Sequence, residues 1–219
     1  MGMQSYQSLV NFLITLILGT VFLMIVVSRF NSVIMAVVLQ GLFLVALCTV
    51  LGWATGIREM YIAALLTLVV KAGIIPYVLN KAVNRVSTNR EVEAFLNMKM
   101  TLMLDVCLIF ISYLATGQVI GEGSGLIHEA LPAAISLMLI GLFLMINRKF
   151  PIMQVVGLVV MENGIFLAGL GTTNGMPLVI ELGIFMDILV GVLIMGVLVF
   201  RINQSFDTVD TRNLRNLRG

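Results

Sequence analysis

Three side chains in this sequence of 219 residues have the chemistry to pass protons, and each sits where charge is rarely found. Lys71, Glu162 and Asp187 lie about ten residues into apolar runs of roughly twenty residues. At ~1.5 Å per residue they are ~15 Å deep, close to the midplane of a bilayer. A charge at that depth costs on the order of 2.5–3.5 kcal/mol, so it must face a protein interior or a water-filled cavity. Snorkelling cannot bring these carboxylates to either surface. A lysine and carboxylates at one depth, joined by water, can relay protons. The competing expectation is a buried ion pair that only holds helices together.

The neighbours of these residues add detail. Asn163 and Gly164 follow Glu162 in the run MENG, and the amide can bond the acid or a bridging water. Gly183 and Gly191 lie four residues on either side of Asp187, on the same helix face, and leave room beside its carboxyl. Gln40 is also near mid-depth and can join a polar line. Asp105 falls only about one turn into its apolar run, where a surface pair with Lys99 is the simpler expectation. Glu181 opens the last run, where an acid suits the helix dipole. It also stands at a second depth on any path through Asp187. His128 and Glu129 suit an interfacial cap.

The elements that must position these groups are transmembrane helices. Residues are 60% hydrophobic and only 11% charged, against about 25% charged in a soluble domain. This excludes a soluble enzyme, a disordered chain and a disulfide scaffold. The fold class is an all-α, polytopic helix bundle. Roughly seven spans are expected, near 8–28, 32–53, 60–80, 100–117, 130–147, 151–171 and 177–201. With alternating sides, Arg29, Lys81, Arg85, Arg90, Lys99, Arg148, Lys149, Arg201, Arg212, Arg215 and Arg218 share one side, and Arg58 stands alone on the other. The positive-inside rule then puts the N-terminus outside and the C-terminus in the cytoplasm, in a multi-pass protein of the inner membrane.

Proline placement agrees with the boundaries. Pro132, Pro151 and Pro177 fall in first turns, where a missing N–H is harmless. Pro76 lies inside the third span. It removes the bond to the carbonyl of Ala72, beside Lys71, and should kink that helix. Cys48 and Cys107 are in apolar runs and read as small apolar side chains in helices. No nucleophile–base pair, phosphate loop or metal-ligand cluster stands out, so no cofactor and no nucleic-acid partner are expected.

From Arg148 to Gly219, the pieces RKFPIMQVVGLVVMENG, GIFMDILVG and FDTVDTRNLRNLRG resemble the three-helix K subunit of respiratory complex I. The whole length, with VVKAGIIPYVL and GLVVMENG, resembles the component E family of hydrogenase-4, in which a K-like module carries extra N-terminal helices. The resemblance implies an N-terminal four-helix extension over 1–129, a K-like module over 130–202 and a polar cytoplasmic tail over 203–219. Asp187 then stands at the second glutamate of the K subunit, with Gly191 four residues on. Val159 falls at the first glutamate, and Glu162 lies one turn further on nearly the same face. Lys71 matches the lysine of the component E extension, with the same spacing to proline.

The resemblance also implies a setting. The chain would be a non-catalytic subunit in the membrane arm of an oxidoreductase complex. Its partners would be antiporter-like and other membrane subunits and, indirectly, a peripheral arm of [NiFe] and iron–sulfur subunits. The expected role is part of a proton or sodium path, with a structural scaffold or a freestanding small transporter as the alternatives.

Overall fold

In a computed structural model the structure describes residues 3–27, 29–86, 94–117 and 130–173, together with Gly183, Gly191 and Gly196. The described chain is all-helical: α1 (Met3–Val26), α2 (Phe30–Thr55), α3 (Glu59–Thr67), a π-helical segment (Leu68–Ile74), α4 (Ile75–Val86), α5 (Met98–Gly117), α6 (Ala130–Asn147) and α7 (Pro151–Thr173). Six stretches are long and apolar enough to cross a membrane: Tyr6–Val26, Phe30–Thr55, Glu59–Val83, Met98–Gly117, Ala130–Asn147 and Pro151–Gly171. They match the first six expected spans. Of the seventh only Gly183, Gly191 and Gly196 are described; Asp187 and Glu181 lie outside the described residues, as do His128 and Glu129.

Local sequence explains the breaks. Gly56 ends α2 in the left-handed region at φ 72°, donating its N–H to the carbonyl of Gly52, and Glu59 then opens α3 with an acid in the first turn. Pro151 starts α7, and Pro132 sits in the first turn of α6. The third span does not simply kink at Pro76. The helix widens over Leu68–Ile74, so that the N–H of Ile75 reaches back to the carbonyl of Val70. The α-helical register restarts at Ile75, which puts Pro76 in a first turn, where its missing donor costs least.

The helices form two layers. In one, α2 lies between α1 and the α3–π–α4 rod; in the other, α6 lies between α5 and α7. The layers meet where α1 touches α5 and α6, and where α2 and α4 touch α7. Packing is tightest between α6 and α7. A Cβ on Gly141 would stand 2.5 Å from the backbone nitrogen of Met161, and one on Gly164 would stand 2.7 Å from the carbonyl of Ala134. Small residues thus let the two backbones touch, as in many membrane helix pairs. Gly141→Ala should force the pair apart and cost about 1–3 kcal/mol, read as a lower melting temperature in detergent.

One end of the bundle gathers three connections. Phe30, after the α1–α2 turn, meets Phe150 of the α6–α7 turn edge-to-face at 5.8 Å. The segment before α5 docks on the same turn: Ala94 bridges to Arg148, and Phe95 donates its N–H to the carbonyl of Asn147 at 2.9 Å. Lys149 lies over the Phe95 ring at 5.5 Å. At the other end, Tyr6 meets Trp53 edge-to-face.

Candidate functional site

Where the layers meet, residues from the middle of four spans come together. Lys71, in the π-helical segment, places Nζ 2.8 Å from Oε1 of Glu162 on α7. The same ammonium donates to Oδ1 of Asn163 at 2.8 Å. Asn163 donates through Nδ2 to Oε1 of Gln40 on α2 at 2.9 Å. Gln40 in turn points Nε2 at the carbonyl of Ile17 on α1, at a long 3.4 Å. All four side chains are buried: Gln40 0%, Lys71 and Asn163 1%, Glu162 3% exposed.

Each position has a structural reason. The backbone of Lys71 lies against α2 at Gly41, where a Cβ would be only 3.4 Å away. The wide turn around Lys71 interrupts the α-helical spacing where this segment packs on α2 and Lys71 reaches α7. The close α6–α7 contact at Gly157 and Gly164 holds the α7 backbone on both sides of Glu162 and Asn163. Phe166, one turn beyond Glu162, puts its ring 5.2 Å from Lys71 Nζ, a cation–π distance. Gly183 brings its backbone against that ring, with a Cβ position 3.2 Å from Cδ2.

The network differs in detail from the sequence expectation. Asn163 does not bond its neighbour Glu162; it links Lys71 to Gln40. Neither carboxyl oxygen of Glu162 has a hydrogen-bond partner, and among the described residues the acid relies on its ion pair with Lys71. Replacing Asn163 by leucine would strip the lysine of one acceptor and Gln40 of its donor. The expected cost is about 1–3 kcal/mol, seen in thermal unfolding of the detergent-solubilised chain.

Asp105 behaves otherwise than expected. It is 0% exposed, whereas Lys99 is exposed, so the surface pair between them does not form. The reason is the rotation of α5, which turns Thr101, Asp105, Ser112 and Thr116 inward. The charged group facing Asp105 is Arg148, in the α6–α7 turn and only 4% exposed. Burial pushes the Arg148 guanidinium below its ordinary value, and Asp105 partly opposes this. In the sequence Arg148 speaks only to topology. A chain position between an asparagine and a lysine at a helix end gives no hint of burial. The same holds for Asn147, which donates to Thr101 at 3.1 Å and accepts from the N–H of Leu96 at 3.0 Å.

Among the described residues no group of three His, Cys, Asp or Glu is placed to hold a metal ion. The mid-depth cluster has both signs of charge in contact, which suits proton exchange between its members.

No family model matches the chain, and no solved structure matches it. An uncharacterized protein of Mycobacterium tuberculosis, Rv0085, is 31% identical over 180 residues, which is 82% of this chain and 82% of that protein. Hydrogenase-4 component E of Escherichia coli is 24% identical over 181 residues, covering 82% of this chain and 83% of its own length. The component E of Shigella flexneri matches to the same extent.

Proposed function

The chain belongs to the family of membrane proteins that includes Rv0085 and hydrogenase-4 component E, and from that premise we propose that it is a membrane-arm subunit of a complex-I-like, energy-converting hydrogenase complex in the cytoplasmic membrane. Its part there is to supply a buried section of a proton path. The observation that carries this reading is the Lys71–Glu162 pair at 2.8 Å, mid-depth between the two helix layers.

A buried pair of this kind has two protonation arrangements. With the proton on Lys71 both groups are charged; with it on Glu162 both are neutral. Desolvation penalises the charged arrangement and mutual attraction favours it. A proton exchanged within the pair would travel along the 2.8 Å contact without rearranging the helices. Asn163 and Gln40 fix the lysine and extend a polar line toward α1. Lys71 also fills the place beside Glu162 that a sodium ion would take, which favours protons as the cargo at this pair.

The rest of the arrangement follows the family resemblance. Seven spans place the N-terminus outside, and the end gathering Arg29, Lys99, Arg148 and Lys149 faces the cytoplasm, in keeping with the positive-inside rule. Residues 130–202 form the K-like module, 1–129 its extension and 203–219 the cytoplasmic tail. Asp187 and Glu181 continue the path on the seventh span. Partners are antiporter-like membrane subunits and, through them, a [NiFe] and iron–sulfur arm.

The test is coupled proton movement in the whole complex carrying Glu162→Gln or Asp187→Asn. Assembly should persist while proton movement falls. Proton movement at the natural level in both variants would contradict the assignment.

A further inference from the structure

A second group of buried charges lies at the basic end of the bundle, away from the Lys71 network. Asp105 is fully buried, yet neither carboxyl oxygen has a hydrogen-bond partner, and the Nε of Arg148 has none either. Arg148 spends one donor on the carbonyl of Met24, at 3.3 Å. Its guanidinium faces Asp105 without bonding it directly. A carboxyl and a guanidinium left dry in this way would cost several kcal/mol. Water reaching them would remove that cost, and the structure has room for it on the Arg148 side. A half-open pocket of about 180 Å³ is lined by Arg148, Thr101, Leu96 and Met98, among others. Thr101 and Asp105 are four residues apart on one inward face of α5, so Asp105 stands one turn beyond the pocket lining. The Thr101 hydroxyl is already taken up by Asn97 and Asn147, which leaves it poorly placed to ligate an ion.

We propose that Asp105 and Arg148 form a water-filled, proton-accepting site that opens to the surface through this pocket. The carboxylate takes a proton from a hydronium ion in the pocket, leaving water, and returns it to water when the reverse step runs. Arg148 supplies the fixed positive charge that keeps the site from taking up a metal cation. It is the charged group facing Asp105 among the described residues; α1 and α6, the helices packed against α5, carry no Asp, Glu, Lys or Arg. The site and the mid-depth network both donate to carbonyls of α1. Met24, which accepts from Arg148, and Ile17, which accepts from Gln40, are seven residues apart on α1, ~10 Å along its axis. Proton exchange at Asp105 does not require Lys71 and Glu162 to conduct, so the two assignments can fail separately.

Two measurements on the full chain in membrane vesicles test the site. With Cys48 and Cys107 replaced by alanine, Thr101→Cys and Asp105→Cys should both react with a small anionic methanethiosulfonate added on the basic side. Met103→Cys, at an outward position of the same helix, should react at least roughly tenfold more slowly, because a thiol in lipid does not ionise. In the second measurement the natural sequence is treated with a hydrophobic carbodiimide, which couples to protonated buried carboxyls, and the product is mapped by mass spectrometry. Modification of Asp105 should fall as pH rises and should be indifferent to sodium. Protection of Asp105 by sodium would overturn the proposal by marking a cation site. Absence of modification at every pH, or an unreactive Asp105→Cys beside a reactive Thr101→Cys, would overturn it by showing the carboxyl to be dry.

Discussion

Lys71→Met alone should destabilise the chain by about 3–5 kcal/mol, the largest single-residue effect expected outside the backbone contacts. Among the described residues the substitution leaves Glu162 buried at 3% exposure with no cation beside it and with neither carboxyl oxygen hydrogen-bonded. It also removes the donor to Asn163 and the charge over the Phe166 ring. Methionine fills a similar volume, so the loss is electrostatic rather than a cavity. The measurement is the unfolding midpoint in mild detergent, together with the amount of chain recovered in the assembled complex. Lys71→Arg should not restore the natural state: a planar fork does not fit a site shaped for a point charge between Glu162 and Asn163.

Glu162→Gln should reduce coupled proton movement by on the order of a hundredfold, the scale of losing one positioned proton-transfer group. Glutamine keeps the shape and retains an oxygen to accept from Lys71, so helix packing should survive. It cannot take the proton, and the two-arrangement exchange with Lys71 is lost. Glu162→Asp separates the two properties. It keeps the proton chemistry but draws the carboxyl back along α7 by one methylene, beyond the 2.8 Å contact. Its proton movement should lie between those of the natural chain and Glu162→Gln. The rate of pH change inside vesicles carrying the whole complex is the readout.

Much of this site is legible in the amino-acid order. Depth alone singles out Lys71 and Glu162, because a charge in the middle of twenty apolar residues has few reasons to be there. The six spans are equally legible from apolar run length, and Pro132 and Pro151 mark the starts of two of them. Other features depend on geometry that periodicity does not carry. Pro76 signals an irregular helix, but a kink and a π-helical turn answer the same missing donor, and only the packing of this segment, here against α2, chooses between them. The pairing of Asp105 with Arg148 needs α5 to lie against α6 and α1, a matter of layer order. Asp105 sits near a basic helix end, where an exposed lysine is the nearer partner in sequence. The contact of Gly141, Gly157 and Gly164 across α6 and α7 is likewise hidden, since glycines are common in membrane helices and only some mark a close crossing.

The double variant Lys71→Met with Glu162→Leu separates a proton path from mere cohesion. Replacing both members of a buried pair by apolar residues is often neutral or stabilising, so the complex should assemble and transfer electrons. The decisive quantity is the number of protons moved per electron transferred in reconstituted vesicles. A path through the pair predicts that this ratio falls sharply in the double variant while electron transfer continues. An unchanged ratio in the assembled double variant would contradict it and would leave the pair as a structural tie between the two helix layers.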